Sequence, residues 1–202
     1  AALSGPNHAE EVILGTPSAT VIASANEQTT QLFQELFATF SFRTYASTDV
    51  LGVELCAAFK NVIAIATGCA YGLGYGDNTA AMLQTRGLAE MSRLVTACGG
   101  QALTCMGLAG TGDMIVTCMS RYSRNRRLGE MIAQGKTLDD FTAETHMVAE
   151  GAVACKTLGE LAAKVGVELP ITDIVRRVVW EDFDLRLVSD RLLDRPLKPE
   201  FY

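Results

Sequence analysis

DVLGVELCAAFKNVIAIATGCAYGLG, residues Asp49–Gly74, is an almost unbroken apolar run whose length and spacing predict one long helix. Only Lys60 and Asn61 place strongly polar groups in its middle. The residues one turn away from Lys60 are small or apolar, so its side chain leaves the helix through a surface that would otherwise be core. Loss of hydration there favours the neutral amine over the ammonium, which would let Lys60 exchange protons near neutral pH. The alternative is an ordinary stem on apolar surface with its charged head in water.

Composition narrows the classes of function. The chain has 202 residues, 49% of them hydrophobic, and a formal net charge of −6. This is enough apolar material for a sizeable core. Nucleic acids and anionic membranes are bound mainly through clustered positive charge, so neither is an expected partner. No apolar run reaches the roughly 18 residues of a membrane span without Gly, Lys or Asn, so we expect no stable membrane insertion.

The six cysteines are scattered through apolar helical segments, and none forms a Cys-x-x-Cys pair. Buried free thiols in a reducing compartment are therefore expected, which favours the cytoplasm. His8 and His146 are the only histidines, so we predict no metal site. The chain begins at Ala1 without a signal peptide or an initiator Met, and we expect it to be an interior piece of a longer protein.

Two kinds of local pattern divide the chain. Residues 1–48 alternate strand-like pieces, SATVIAS and FRTYAS, with helix-like pieces, as in proteins built on parallel sheets. The helix-like piece between these strands places Leu32, Leu36 and Phe40 on one apolar stripe. From residue 49 onward nearly every segment carries helical punctuation. The sequence therefore predicts a mainly α fold, with an α/β domain at residues 1–48 and an all-helical domain at residues 49–202.

Capping signals predict several helix boundaries. Asn78 or Thr79 is expected to cap a helix on whose outer face Arg86 and Glu90 form an ion pair. Further predicted features are a short helix around Leu103, a capping box of Thr137 with Asp140, a helix over Glu150–Val165, a helix that follows Pro170 and runs through Trp180, and a cap at Ser189.

Two polar segments contain glycine-rich turns. SGPNHAEE, Ser4–Glu11, resembles a strand-to-helix turn whose free backbone N–H groups suit an anion or a cofactor edge, although an ordinary helix cap has the same pattern. GLAGTGDM, Gly107–Met114, places three glycines before Asp113, whose carboxylate could hold the ammonium of Lys60; a plain connecting loop is the alternative. Neither GLAGTGDM nor GLGYG has G-x-G-x-x-G spacing behind a strand, so neither is predicted to bind a dinucleotide phosphate.

A third segment, SRNRR at residues 123–127, places a hydroxyl, an amide and three guanidiniums in an otherwise acidic protein. Guanidinium groups bind phosphate oxygens well, and a solvated basic face is the alternative. Together the three segments and the unusual lysine predict a site for a small phosphorylated alcohol or ketone. A phosphate needs a fork of charged donors and a neutral donor, and the adjacent Arg124 and Asn125 supply both, so these two are predicted to hold it. Successive helical side chains point about 100° apart, so Arg126 and Arg127 are predicted to lie on the flank or to pair with acidic neighbours.

These segments together resemble a known family, the soluble NAD(P)-dependent glycerol-3-phosphate dehydrogenases of the bacterial type. The resemblance covers almost the whole chain and rests on LSGPNHAEEV, TPSATVIAS, DVLGVELCAAFKNVIAIATGCAYGLGYGDNTAAMLQTRGLAEM, MGLAGTGDMIVTC, SRNRRLG and VAEGAVACKTLGELAAKVGVELPIT. It implies reversible reduction of dihydroxyacetone phosphate to sn-glycerol 3-phosphate by NAD or NADP, for phospholipid synthesis. The implied fold is the C-terminal remnant of a Rossmann-like α/β domain followed by an all-helical, 6-phosphogluconate-dehydrogenase-like substrate domain.

The resemblance also implies roles for individual residues. Lys60 corresponds to the catalytic lysine, the acid in reduction and the base in the reverse direction, and Asp113 to its carboxylate partner. The implied substrate-binding residues are Gly5, Asn7, Lys60, Asp113, Ser123, Arg124 and Asn125. The implied coenzyme-binding residues are Ala9, Arg124, Val148 and Glu150.

The chain departs from the family pattern in three ways. Asn7 stands where Ser or Thr is usual, and Cys56-Ala57 replaces a glycine-rich pair, which narrows the groove beside the lysine. The family's Gly-rich loop and most of its coenzyme domain are not among these 202 residues. We therefore expect a C-terminal portion that is inactive alone, because hydride transfer needs a fixed nicotinamide.

Two other functions are compatible with the residues. A hydroxyacid or phosphogluconate dehydrogenase also has a helical second domain, but it would prefer a carboxylate to dihydroxyacetone phosphate. A non-catalytic helical dimerisation module would self-associate tightly without affinity for phosphate esters. A homodimer is compatible with each of these functions. The sequence leaves NAD against NADP open, because the residue that selects between them lies on an early strand outside these residues.

Overall fold

The computed structural model describes residues 1–188 and 199–200. Its first part is a small three-stranded sheet with two helices. The strands follow the order β1-β2-β3; β2 and β3 are parallel, as the pattern predicts, whereas β1 runs antiparallel to β2. The elements are β1 (Ala2–Ser4), α1 (Ala9–Val12), β2 (Ser18–Ala23), α2 (Glu27–Phe37) and β3 (Phe42–Ser47).

The apolar stripe of α2 lies largely at the surface. Leu32 and Leu36 are 53% and 66% exposed. The predicted continuation to Phe40 is wrong, because the helix ends at Phe37 and Ala38 has an extended backbone. The stripe is thus shorter than predicted and contributes little to the core of the described residues.

From residue 50 onward, all the regular elements among the described residues are helical, as predicted. The helices are α3 (Val50–Gly72), α4 (Asp77–Ala97), α5 (Ala102–Met106), α6 (Asp113–Met119), α7 (Arg124–Ala133), α8 (Leu138–Thr145), α9 (Glu150–Val165) and α10 (Pro170–Trp180). A π-helical turn, Leu108–Gly112, joins α5 to α6, and a 3₁₀ turn, Leu185–Leu187, follows α10.

Helix α3 is the centre of the protein and packs against α4, α6, α7 and α9. Its closest approach is to α7. A Cβ atom added to Gly68 would lie 2.0 Å from the Arg126 carbonyl oxygen, and one added to Gly129 would lie 2.1 Å from the Ile65 carbonyl oxygen. Glycine at both positions therefore lets the two backbones come together. By length and composition α3 could also cross a membrane, but 56% of its most apolar window is buried inside this protein, as in a core helix.

The start of α4 differs from the prediction. Gly76 is the N-cap and makes no side-chain capping bond, so Asn78 and Thr79 lie inside the first turn rather than at the cap. Asp77 takes the first helical position, and its Oδ1 accepts a hydrogen bond from the Tyr71 hydroxyl at 3.1 Å. The carboxylate also interacts favourably with the helix dipole there.

The predicted surface pair of Arg86 with Glu90 is wrong. Glu90 is 3% exposed, and its carboxylate accepts hydrogen bonds from the backbone N–H groups of Ile171 (2.6 Å) and Thr172 (3.3 Å). Arg86 instead donates to the carbonyl oxygen of Glu200 at 3.1 Å. The free N–H groups at the start of α10 attract the carboxylate inward. Burial raises the pKa of Glu90 above its usual range, although these hydrogen bonds oppose the shift.

Other predicted boundaries are confirmed. Thr137 and Asp140 form a capping box at the start of α8. Helix α9 ends at Gly166, whose φ of 71° is in the left-handed region that glycine adopts readily. The short helix around Leu103 is α5, and the helix predicted to run through Trp180 is α10, which includes Pro170. The predicted cap at Ser189 lies outside the described residues.

Candidate active site

Lys60 and Asp113 lie in direct contact. Lys60 leaves the middle of α3, and Asp113 is the first residue of α6. Lys60 Nζ is 2.5 Å from Asp113 Oδ2, and the two side chains are 20% and 5% exposed. Burial of this kind removes water from both charges, and a charge-assisted hydrogen bond replaces it. The ammonium is therefore both partly desolvated and held in one orientation.

Asp113 is held from three further directions. Its Oδ2 accepts hydrogen bonds from Ser4 Oγ at 3.0 Å and from the Gly5 N–H at 3.2 Å. Its Oδ1 accepts from Thr117 Oγ1 at 3.2 Å. Ser4 ends β1, Gly5 opens the SGPNHAEE turn, and Thr117 lies one turn further along α6. The carboxylate thus joins the sheet, the turn and α6 around the ammonium.

Two glycines in these segments lie so close to other backbone atoms that a larger side chain would clash. A Cβ atom at Gly5 would lie 2.7 Å from the Ala19 carbonyl oxygen, so only glycine brings this turn onto β2. A Cβ atom at Gly110 would lie 2.0 Å from the Cys105 carbonyl oxygen. Glycine at position 110 therefore lets the π-helical turn pack on α5, and this packing places the start of α6 against α3.

The rest of the SGPNHAEE turn faces β2 and the loop that precedes α7. Asn7 Nδ2 donates to Thr20 Oγ1 at 3.0 Å. The His8 ring lies edge-on to Tyr122, with ring centroids 6.4 Å apart, and its buried Nε2 has no hydrogen-bond partner among the described residues. Ala9, the predicted coenzyme contact, is the exposed first residue of α1.

The SRNRR segment forms the start of α7. Ser123 is its N-cap, and Ser123 Oγ accepts from the Arg126 N–H at 3.2 Å. Asn125 is buried and bridges two helices: its Nδ2 donates to Asn61 Oδ1 at 3.0 Å, and its Oδ1 accepts from the Gly151 N–H at 2.8 Å. Because Asn61 follows Lys60 on α3, this bridge places Asn125 beside the lysine's helix.

The arginines of this segment point in different directions, as predicted. Arg124 Nη2 is 2.7 Å from Glu150 Oε1, and the two side chains are 46% and 51% exposed. Arg126 pairs with Glu130 at 2.8 Å and lies over the Tyr71 ring. Arg127 is exposed. Arg126 therefore lies on the flank of α7, whereas the guanidinium of Arg124 reaches the start of α9.

Two clusters of side chains result. Lys60, Asp113 and Gly5 form one cluster, and Arg124, Asn125, Glu150 and the N-cap Ser123 form the other. Asn61, the hydrogen-bond partner of Asn125, follows Lys60 on α3, so both clusters border the same helix. Val148, the remaining predicted coenzyme residue, is 65% exposed and precedes α9.

Sequence reasoning assigned no role to Ser4, Asn61 or Thr117. Ser4 stood within the SGPNHAEE segment and Asn61 beside Lys60, but their partners are far along the chain. Thr117 could have been found, because it lies four residues after Asp113 and thus on the same helical face.

Two other features lie outside this set. An apolar cavity of about 310 Å³ lies between α3, α4 and α10, lined by residues such as Ile65, Leu83 and Val175, and none of the predicted site residues lines it. Among the described residues, no group of three or more His, Cys, Asp or Glu side chains could hold a metal ion.

Known families and relatives match the chain along most of its length. Residues 49–189 match the family described as the NAD-dependent glycerol-3-phosphate dehydrogenase C-terminus, and residues 1–30 match the N-terminus of the same enzyme type. Glycerol-3-phosphate dehydrogenase (NAD(P)+) from Chlorobium phaeobacteroides is 48% identical over 202 residues, which are all of this chain and 61% of that protein. The relative from Clostridium botulinum is 48% identical over 200 residues, 99% of this chain and 61% of that protein.

Solved structures agree with these sequence matches. The glycerol-3-phosphate dehydrogenase of Coxiella burnetii superposes with a TM-score of 0.92 at 40% identity, covering 96% of this chain and 59% of that one. The Saccharomyces cerevisiae enzyme superposes with a TM-score of 0.81 at 28% identity, covering 93% of this chain and 57% of that one. The predicted fold class is confirmed, and the chain spans about three fifths of the length of its relatives.

Proposed function

The chain belongs to the NAD-dependent glycerol-3-phosphate dehydrogenase family, and on this premise we propose that it carries the substrate-binding and proton-transferring residues of an enzyme that interconverts dihydroxyacetone phosphate and sn-glycerol 3-phosphate. The observation that carries the proposal is the 2.5 Å contact of Lys60 Nζ with Asp113 Oδ2. A lysine held this way beside a cluster of phosphate-binding side chain types suits a ketone that bears a phosphate. The product would serve phospholipid synthesis.

Lys60 is the proposed acid and base. In reduction, Nζ donates a proton to the ketone oxygen as negative charge develops there, and in oxidation the neutral amine takes the proton of the hydroxyl. Asp113 keeps Nζ oriented between turnovers, and its bonds from Ser4 and Gly5 keep the carboxylate itself in place. NAD or NADP supplies or accepts the hydride when it is bound.

The phosphate of the substrate would lie at the start of α7. Arg124 uses one of its five N–H donors on Glu150, so the others can bind phosphate oxygens. Asn125 Nδ2 keeps one N–H after its bond to Asn61, and Ser123 can donate its hydroxyl proton while it accepts from the backbone. Gly5 and Asn7 are proposed to contact the substrate from the opposite turn.

The proposed coenzyme contacts are Ala9, Arg124, Val148 and Glu150. Arg124 and Glu150 are about half exposed, at 46% and 51%, and Val148 is 65% exposed, so all three can be reached by a large ligand. Their position beside the Lys60 cluster fits a nicotinamide coenzyme laid along the start of α9. Whether NAD or NADP is preferred depends on residues beyond these contacts.

We also propose the division into a coenzyme-binding α/β part at residues 1–48 and a helical substrate domain at residues 49–202. The change from a sheet to helices at α3 supports this boundary. A cytoplasmic location is supported by six free cysteines, five of them buried. A homodimer stays a prediction, testable by the mass of the protein in solution.

The test measures coenzyme oxidation in the presence of dihydroxyacetone phosphate for two proteins. The first is residues 1–202 alone, and the second is an enzyme in which the same residues follow a complete coenzyme domain. We expect turnover only in the second protein, because no G-x-G-x-x-G follows a strand in these residues. Better turnover of a carboxylate analogue would contradict the proposed substrate. Tight self-association without phosphate-ester binding would favour the non-catalytic module.

A further inference from the structure

Two cysteines from different helices face each other beside the candidate site. Cys56 lies on α3 and Cys105 on α5, and both are fully buried. Their Sγ atoms are 3.7 Å apart, with the Cys56 thiol donating to Cys105. At this distance the two sulfurs are in contact but are not covalently bonded. A small movement of the two helices would bring them to disulfide distance.

Both cysteines are coupled to the lysine and carboxylate of the site. Cys56 lies one turn before Lys60 on the same helix. The Cys105 carbonyl oxygen accepts from Thr111 Oγ1 at 2.9 Å and allows no side chain at Gly110. The Cys105 backbone therefore supports the π-helical turn that delivers α6. Movement of either sulfur is transmitted to one partner of the ion pair.

We propose that Cys56 and Cys105 form a reversible disulfide when a peroxide oxidises them, and that this modification inactivates the neighbouring proton-transfer site. The first step joins the Cys105 thiolate sulfur to one peroxide oxygen as the O–O bond breaks, and the released hydroxide takes a proton to become water. In the second step Cys56 sulfur attacks the resulting sulfenic acid, the S–S bond forms, and the S–O bond breaks. That hydroxide takes the Cys56 proton, so two thiols lose two electrons in total and the peroxide becomes two waters.

The surroundings support Cys105 as the attacking thiol. The hydrogen bond from Cys56 lowers the pKa of Cys105, whereas burial and the negative charge of Asp49 oppose the shift. The same contact and burial raise the pKa of Cys56. The thiolate is the nucleophile in such reactions, so the pair contains one attacking and one resolving sulfur.

Both sulfurs are buried, so a small oxidant would reach the pair by local opening of α5. Helix α5 has five residues, and its Leu103 and Met106 are 75% and 71% exposed. Cys105 therefore lies one layer beneath the surface on a short helix that local opening can release. Closure from 3.7 Å to a bond of about 2.05 Å requires an approach of about 1.65 Å, shared between α3 and α5.

The chemical test uses residues 1–202 and hydrogen peroxide and needs no turnover. We expect the intact mass to fall by two hydrogens and proteolytic mapping to join the peptides of Cys56 and Cys105. Cys98→Ser is the matched control, because Cys98 is the most exposed of the six cysteines, and it should leave this cross-link unchanged. A cross-link of Cys98 with Cys105, or added oxygen without a cross-link, would overturn the proposal. Its failure is thus separate from failure of the dehydrogenase assignment.

The functional test uses the enzyme with its coenzyme domain. Misplacement of reacting groups by about 1 Å costs about a hundredfold, so oxidation should lower turnover at least about tenfold, with recovery on addition of dithiothreitol. Cys105→Ala and, should that variant fold poorly, Cys56→Ala should keep their turnover in peroxide, whereas Cys98→Ser should lose it. Equal sensitivity of all these variants would show that peroxide acts elsewhere and would refute the inactivation.

Discussion

Asp113→Asn is the substitution that most directly tests the arrangement around Lys60. It keeps the size of the side chain and removes its charge, while Ser4 and Gly5 retain an oxygen acceptor in place. We expect turnover of dihydroxyacetone phosphate to fall strongly, because Nζ loses the negative charge of the partner that lies 2.5 Å away. The protein should also become less stable, because the ammonium is only 20% exposed and would be left without its counter-charge.

The contact itself sets the smallest expected loss. A hydrogen bond to a charged group is worth about 1.5–3 kcal/mol. The variant keeps the ammonium and replaces the charged acceptor by a neutral amide oxygen, so it weakens this contact, by about 1–2 kcal/mol, without removing it. If this free energy normally orients Nζ in the transition state, its loss lowers kcat by about 5- to 30-fold. If Lys60 no longer reaches the ketone oxygen at all, the loss approaches the roughly 10² to 10⁴ that positioned proton transfer contributes.

The matched control is Glu90→Gln. Glu90 is a carboxylate with the same 3% exposure as Asp113, but it binds the start of α10 and touches no residue of the candidate site. Both variants should be assayed for kcat, KM and thermal stability in the enzyme with its coenzyme domain. We expect both to change Tm and only Asp113→Asn to lower kcat. Equal kcat values for the two variants would refute the reasoning.

Three further predictions follow from the same contacts. Lys60→Met should lower turnover by at least about 10², and Lys60→Arg should do little better because a guanidinium keeps its proton near neutral pH; near-normal turnover of either would move the acid to another residue. Arg124→Ala should lose several kcal/mol of transition-state stabilisation with dihydroxyacetone phosphate, at about 1.5–3 kcal/mol per charged hydrogen bond, and almost none with unphosphorylated dihydroxyacetone. Arg127→Ala should affect the turnover of neither substrate. Equal losses on both substrates would assign Arg124 to the coenzyme or the fold. Because burial raises the pKa of Glu90 in the folded protein, the folded state keeps a proton over a pH window in which the unfolded chain has lost it, so the free energy of unfolding should fall as pH rises through that window. Urea titrations at several pH values should show this slope in the parent chain and not in Glu90→Gln; parallel curves would argue against it.

Elements with strong local signals were predictable from the sequence. Helix α3 needed only its long apolar run, and α9 needed a periodic segment that ends at Gly166. The capping box of Thr137 and Asp140 is likewise complete within four residues. Such features depend on neighbours in the chain, so the residues that decide them are visible together in one window.

Predictions failed where a distant element competed with the local pattern. Glu90 and Arg86 have the spacing of a surface ion pair. However, the backbone N–H groups at the start of α10 lie against α4 and donate hydrogen bonds to the Glu90 carboxylate, which is therefore buried. A one-dimensional pattern contains the spacing of four residues but not the approach of a helix that begins 80 residues later. The prediction that the apolar stripe of α2 continues to Phe40 was wrong for a local reason, because the helix ends at Phe37 and Ala38 has an extended backbone.

The candidate site divides in the same way. The sequence by itself determined which side chains were chemically unusual: a lysine in an apolar helix, Asp113 after a glycine-rich turn, and an acidic chain with one cluster of arginines. Only the tertiary structure decided that Ser4 and Gly5, which precede Asp113 by 109 and 108 positions, hold its carboxylate against Lys60. Such contacts come from the packing of α6 and β1 on α3, which depends on glycines that permit close backbone approach and on the burial of many apolar side chains at once, so no local window contains them.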